Sequence, residues 1–352
     1  MQLNIERPVL AFDVGGTWLR SAVVSSQFRL SAVTRDATEK LRSDHDREPH
    51  HMAERLVTWI STVRDRHPDI HDVGISLGAV YDAKKGTAVS SAPLWGAKRI
   101  DFPFRDALRE ASRTPTRWAI ANDVTAAALA ARAHDHSLVG APFHLITLSS
   151  GVAARRVDEK GLPATDNVNS PVQGEIGHLP ARFLVNEHPI HQRCECGQND
   201  HVASFLSGRG FTDMLRSSVV LRPVIGSPPS PSDGGDIGLV GRFVDAVEAK
   251  HSWALSILDA LVGTLLDTID WIVTVDPTAR IVLTGGFFRQ IDRVFTSRLL
   301  SVSEQRGPYA IGEDRTWLRS RLGRFEDPNA GLMGAAFHAR RAVSAQSTLE
   351  SI

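Results

Sequence analysis

Short unbroken apolar runs alternate along this chain with longer stretches of helical spacing. Pro8-Val-Leu-Ala-Phe12 has strand length, Leu19 to Ser25 is a second such run, and Asp13-Val-Gly-Gly-Thr17 lies between them. Strand, Gly-Gly turn and strand predict a hairpin. Met52 to Arg66 has the spacing of an amphipathic helix. Val73-Gly-Ile-Ser-Leu-Gly-Ala-Val80 predicts a buried strand running into a turn of small residues, and Phe104 to Ser112 a short helix. Arg117-Trp-Ala-Ile-Ala121 predicts another strand, closed by Asn122-Asp123, with an alanine-rich helix over Val124 to His134. His144 to Leu148, followed by Ser149-Ser150-Gly151 and a further apolar run, reads as a second strand–turn–strand.

Later in the chain, Arg242 to Val273 predicts one long helix, and Arg280-Ile-Val-Leu283 a strand running into Thr284-Gly285-Gly286. A final helix opens at Ala330-Gly-Leu-Met-Gly-Ala-Ala336, where small residues permit close backbone approach. Arg42 to His51 and Val219 to Gly235 are polar or rich in Pro, Ser, Gly and Asp, and predict loops. Hairpins mixed with helices thus occur twice, which predicts two α/β lobes with a cleft between them.

Composition narrows this picture. A chain of 352 residues suits two domains. Formal net charge is zero, which removes the electrostatic case for nucleic acid or an anionic membrane. There is no signal-peptide pattern in Met1 to Pro8 and no apolar run of transmembrane length. The two cysteines sit one residue apart, against a disulfide framework and for a reducing compartment. The expectation is a cytoplasmic globular protein.

Candidate chemistry collects at three places. Gly174-Glu-Ile-Gly-His178 is followed by Cys194-Glu-Cys196-Gly-Gln-Asn-Asp-His201. His178, Cys194, Cys196 and His201 supply four N/S ligands, the number a tetrahedral zinc takes. Two idle thiols among the chain's 14 histidines are the plainer alternative. Gly15 and Gly16 would let backbone amides approach a phosphate, with Thr17 adding a hydroxyl and Asp13 facing a nucleotide-bound Mg2+ through water. The same residues also read simply as a glycine turn. Asn122 or Asp123 reads as the N-cap of the following helix, or as chemistry placed at the C-terminal end of a strand.

Together these motifs resemble the ROK family (repressors, uncharacterised reading frames and sugar kinases) of the actin-like ATPase and hexokinase superfamily. The resemblance runs over most of the chain. Asp13-Val-Gly-Gly-Thr17 is similar to its first phosphate motif, Asn122-Asp123 to its sugar-binding and catalytic pair, and Gly174-Glu-Ile-Gly-His178 to its signature. Cys194-x-Cys196-Gly resembles its zinc loop, and Gly285-Gly286 with Gly331-x-x-Gly334 its adenosine-binding elements. The resemblance implies two actin-like (ribonuclease H-like) lobes with an interlobe cleft and a zinc-stapled loop. One lobe would span residues 1–121 plus a last helix at about 335–352, the other residues 122–334.

It further implies ATP-dependent phosphorylation of a hexose or amino sugar, with Asp123 as general base. Asn122, Glu175 and His178 would bind sugar hydroxyls, with zinc fixing His178. Asp13, Gly15, Gly16, Thr17, Ser150, Gly151, Arg155, Gly285, Gly286 and Gly331 would serve the nucleotide. Structural Zn2+, Mg2+ with ATP, and a homodimer complete the implication.

The departures from the family pattern are specific. His201 stands where the zinc loop usually ends in a third cysteine, and His188 and His191 lie in a spacer longer than usual. Ala203 stands at a sugar-binding glutamate, and Leu94 where an asparagine often follows Ala-Pro. Ala153 and Arg155 occupy glycine positions of the second phosphate motif, so Arg155 is expected beside the triphosphate path. Those departures support a second reading, a degenerate family member that binds a sugar or phosphosugar without transfer. A repressor is set aside, since only twelve residues precede Asp13.

Overall fold

The computed structural model describes residues 7–41, 48–91, 93–96, 98–164, 174–217, 235–306 and 315–349. The loop predicted from Val219, and most of that over residues 42–51, lie outside the described residues. Two compact units are present: Met1–Gly140 with Arg155–Gln173 and Asp327–Ile352, and Ala141–Ala154 with Gly174–Glu326.

The first unit is built on a five-stranded sheet. In chain order its elements are β1 (Val9–Val14), β2 (Trp18–Val24), β3 (Leu30–Ala37), α1 (Pro49–Asp65), β4 (Asp72–Leu77), a small hairpin of β5 (Val80–Asp82) and β6 (Thr87–Ser90), α2 (Phe104–Ala111), β7 (Arg117–Asn122) and α3 (Asp123–His134). The strand order is β3-β2-β1-β4-β7, with β1, β4 and β7 parallel and β2 and β3 returning as antiparallel neighbours. Strands β1 and β4 are buried at nearly every position because both faces of this sheet are covered.

On one face Met52, Leu56 and Ile60 of α1 pack with Phe12, Ile75 and Phe104. On the other lies the chain's last helix, Ala330–Leu349, whose Leu332, Ala335, Ala336 and Ala339 meet Val9, Ala11 and Ala22. The small residues of that helix have a steric reason. A side chain on Gly74 would overlap the backbone of Ala335, and one on Gly334 the backbone of Ala126. Strand β3 is not legible from apolar patterning, because it is a largely exposed edge strand. Its register on β2 and the bond between Ser21 Oγ and Thr34 Oγ1 at 2.6 Å hold it.

A four-stranded sheet is formed by β8 (Phe143–Leu148), β9 (Val152–Val157), β12 (Arg280–Thr284) and β13 (Leu322–Arg324) in the order β13-β12-β8-β9, and all of it but the last three residues of β9 lies in the second unit. Between them in the chain come the short pair β10 (Leu184–Val185) and β11 (His188–Pro189) and helices α4 (Val202–Leu206), α5 (Gly208–Arg216), α6 (Gly235–Glu248) and α7 (Ser252–Val275). Helix α8 (Gly286–Arg306) follows β12 and α9 (Trp317–Arg321) precedes β13. The core is rich in phenylalanine, with Phe183 stacked on Phe205 at 4.4 Å between ring centroids.

The single helix predicted over 242–273 is two helices. Lys250 takes a left-handed φ of 58°, and His251 is the extended cap that starts α7. Val244 and Val247 on one side of the break and Ala254 and Ile257 on the other enter the same core. Apolar spacing therefore continues through a turn it does not mark. No described helix is long and apolar enough to cross a membrane.

Candidate active site

In the first unit, register places Val14, Leu77 and Asn122 in one row at the C-terminal ends of β1, β4 and β7. Parallel α/β sheets put their chemistry at that edge. The turn after β1 is closed by Gly15 N–H donating to Trp18 O at 3.0 Å. Thr38 ties down two of its carbonyls, donating from Oγ1 to Gly15 O at 2.7 Å and from its amide to Thr17 O at 3.1 Å. Gly16 lies against Pro93 with no room for a side chain. Among the described residues none accepts from the amides of Gly16 or Thr17, the two groups a phosphate would need.

Asp13 does not stand open beside this turn. Its Oδ2 receives a fork from Arg20, Nε at 3.0 Å and Nη2 at 2.5 Å, while Ser76 Oγ donates to Oδ1 at 3.0 Å. Arg20 also donates from Nη1 to Pro328 O at 2.5 Å, just ahead of the last helix. Gly331 packs on the Asp13 carboxylate so tightly that a Cβ there would overlap it. The structure thus places Gly331 as the support of Asp13.

Asn122 caps α3, as its position at a strand-to-helix junction suggests. Its Oδ1 accepts from Val124 N at 3.0 Å, and its Nδ2 donates to Ala79 O at 3.0 Å. Asp123, the first residue of α3, is exposed at the positive end of the helix dipole. Val124 N also donates to Asp123 Oδ1 at 2.9 Å. A Cβ on Gly78 would lie only 2.9 Å from Val14 O, which calls for a glycine there, and Asp123 Oδ2 is 3.8 Å from the same point. Arg155 is buried, and its Nη2 donates to Asn122 Oδ1 at 3.3 Å. That puts its guanidinium on the residue expected to bind sugar, although its place in the sequence is that of a phosphate-motif glycine.

In the second unit, β8 and β12 run parallel, with Thr147 opposite Thr284. The turn Ser149-Ser150-Gly151 leaves β8, closed by Ser149 N–H donating to Gly151 O at 2.9 Å. Gly285 ends β12 with φ of 117°, pressed on the Leu148 backbone, so no other residue fits there. Gly286 opens α8, whose N-terminus points positive charge along the same strand ends. Ser150, Gly151, Gly285 and Gly286 therefore share one edge of that sheet.

Glu175 precedes a single 3₁₀ turn, Ile176–His178, and its carbonyl accepts from His178 N at 3.0 Å. The turn is seated through Gly177, where a Cβ would overlap Val152 O. His178, Cys194, Cys196 and His201 come together with ligand atoms all within 4.8 Å of one another. The His178 and His201 Nδ1 atoms are 3.4 Å apart, Cys196 Sγ is 3.2 Å from His201 Nδ1, and Cys194 Sγ is 3.9 Å from His178 Nδ1. Those separations suit four ligands at the corners of a tetrahedron about 2.0–2.3 Å from its centre.

Burial pushes the Cys194 thiol up and His201 down, so histidine favours its ligating neutral form, while the thiol would lose its proton to solvent as a metal bound. His188 and His191 stand outside the cluster, bonded to Asn186 O and Asp200 Oδ2 at 2.7 Å each.

A model of the ROK family matches residues 9–342. The chain belongs to the ROK family. A 2-epi-5-epi-valiolone 7-kinase from an Actinoplanes species is 32% identical over 324 residues, 90% of this chain and 88% of that one. A C(7)-cyclitol 7-kinase from Streptomyces hygroscopicus subsp. jinggangensis is 26% identical over 329 residues, 90% of this chain and 89% of its own. The ROK hexokinase structure from Thermus thermophilus superposes with a TM-score of 0.65 at 21% identity, over 96% of this chain and 99% of that one. This ROK protein has the family's α/β sugar-kinase fold, and it is a kinase.

Sequence reasoning missed Arg20, Ser76 and Gly78. Two of them carry a signal. Counting back across the Gly15-Gly16 hairpin pairs Asp13 with Arg20, opposite charges on facing strands. A serine in the otherwise apolar run around Ser76 needs a partner, and Asp13 is that partner. Gly78 becomes meaningful only once β1 and β7 are laid beside β4.

Proposed function

We propose that this ROK kinase transfers the terminal phosphate of ATP to a hydroxyl of a C7 cyclitol or related sugar-like polyol, with Asp123 as general base. The observation that carries the reading is the Asn122–Asp123 pair at the strand ends that also hold the Gly15-Gly16 turn. Asp123 Oδ2, the oxygen on the side of Gly78, takes the proton, while Oδ1 accepts from Val124 N. As it does, the acceptor oxygen bonds to the γ-phosphorus, the bond from that phosphorus to ADP breaks, and its electron pair leaves with ADP. Such a step is mostly positioning and charge neutralisation, so one well-placed carboxylate suffices.

The amides of Gly16 and Thr17 and the edge formed by Ser150, Gly151, Gly285 and Gly286 are assigned to the nucleotide. Asp13 is assigned to the nucleotide-bound Mg2+, which it would face through water. Arg20, Ser76 and Gly331 fix the orientation of its carboxylate. The Mg2+ that accompanies ATP neutralises charge on the phosphates. Glu175 and His178 are assigned to substrate hydroxyls. With Nδ1 of His178 turned into the Cys/His cluster, its Nε2 faces away and serves the substrate. That cluster holds one structural zinc, closed by four protein ligands. A cytoplasmic homodimer is part of the same proposal, checked by sedimentation and fractionation.

The C7-cyclitol class comes from the two similar kinases named above. The test is a coupled ADP-release screen with Mg-ATP over C7 cyclitols, hexoses, N-acetylhexosamines and free amino sugars. Release with a cyclitol or a sugar supports the proposal, and its ranking identifies the acceptor. A purified, ATP-binding protein that releases ADP with none of them would overturn it.

A further inference from the structure

We infer that Arg155 makes Asn122 a donor-only contact, so that the substrate oxygen seated against it is one that only accepts, a ring ketone rather than a hydroxyl. The inference rests on the assignment of Asn122–Asp123 to the acceptor substrate. A carboxamide offers two lone pairs and two N–H groups. Asn122 Oδ1 takes Val124 N at 3.0 Å and Arg155 Nη2 at 3.3 Å, which fills both lone pairs. Nδ2 gives one hydrogen to Ala79 O at 3.0 Å. One N–H remains.

Glycine at position 155, the residue the family pattern implies there, would leave the second lone pair of Oδ1 open to a substrate hydroxyl. Arginine closes it. Only 4% of Arg155 is exposed, so it acts through Asn122 rather than by touching the substrate, and it is a positioning residue. Its charge also polarises the carboxamide and strengthens the N–H that is left. A hydroxyl set against that N–H must still place its own proton, and the carboxamide oxygen can no longer take it. Asp123 is committed to the hydroxyl being phosphorylated, and Glu175 and His178 are assigned to other hydroxyls of the substrate. A hydroxyl proton without an acceptor costs free energy in a closed site, whereas a ketone has no proton to place.

The experiment is calorimetric titration without nucleotide. The ligands are the ketone 2-epi-5-epi-valiolone and the polyols obtained by reducing it with borohydride. The proteins are the parent, Arg155→Met, which keeps the length but cannot donate, and Arg155→Lys, which restores a cationic donor. The parent should bind the ketone about tenfold more tightly than the polyols, the worth of one hydrogen bond. Arg155→Met should bring the ratio close to one, and Arg155→Lys should recover part of it, with ATP affinity unchanged in both.

A parent that binds ketone and polyol alike, or binds neither, overturns the inference without need of any variant. So does an Arg155→Met protein that keeps the parent's ratio, or one that loses ATP affinity instead. ADP release measured alongside separates the two readings. The expected ratio without ADP release would leave the Asn122 assignment standing and remove the kinase reaction.

Discussion

Gly331 lies against the carboxylate of Asp13 so closely that any side chain there would overlap it. With the fork from Arg20 and the hydroxyl of Ser76, this contact fixes the aspartate that precedes the Gly15-Gly16 turn. Arg20 links the same aspartate to Pro328, ahead of the last helix. The start of the last helix and the end of β1 therefore form one packed unit.

Gly331→Ala should destabilise the protein by about 1–3 kcal/mol, the usual cost of forcing atoms into a filled site. Because the displaced atoms belong to Asp13, ATP affinity should fall as well. Urea unfolding and nucleotide calorimetry measure the two effects. Unchanged stability with unchanged ATP binding would mean that this packing is not needed.

The Cys/His cluster predicts about one zinc per purified chain. Chelation, or Cys196→Ser, should lower both metal content and melting temperature together, since metal binding is folding free energy in such loops. Purified protein without zinc, or a Cys196→Ser variant that keeps the parent's metal content and melting temperature, would contradict the assignment.

Asp270, on α7, has its carboxyl pushed up, first by burial, with Asp267 adding to the shift and Arg306 opposing it. A carboxyl raised in the folded state favours folding fully only below its unfolded value of about 4, and stability is lost as pH rises through the folded value. Asp270→Asn should therefore melt higher than the parent at pH 7.5, and the gap should close as pH falls toward 4 and below. Thermal scans at the two ends check this. A variant less stable at pH 7.5 would show that the attraction of Arg306 outweighs burial.

Much of the site was legible in sequence because its residues sit at breaks in the apolar pattern. Asn122-Asp123 ends an apolar strand and starts an alanine-rich helix, and the four candidate zinc ligands are held by their spacing in a loop that the structure folds around Gly177 and Gly197. What remained hidden depends on pairing over long separations. The place of Arg155 on Asn122 could not be read from a glycine-motif position, because it depends on which way a strand residue faces. Strand β3 was hidden by its polar, exposed face, and the break at Lys250 by helices that bury into one core on either side of it. Helix α8 carries a signal in its sequence, since Phe288, Ile291, Phe295 and Leu299 recur at helical spacing.

The most direct test of the central claim is the rate of ADP release by the parent and by Asp123→Asn, with Mg-ATP and the best acceptor from the screen. Asparagine keeps the shape and one acceptor oxygen but cannot take a proton near neutral pH. Turnover should fall by a factor on the order of 10²–10⁴, the range for a general base, while calorimetric affinity for the acceptor stays within about threefold. A variant that turns over like the parent would contradict the account and place the base elsewhere.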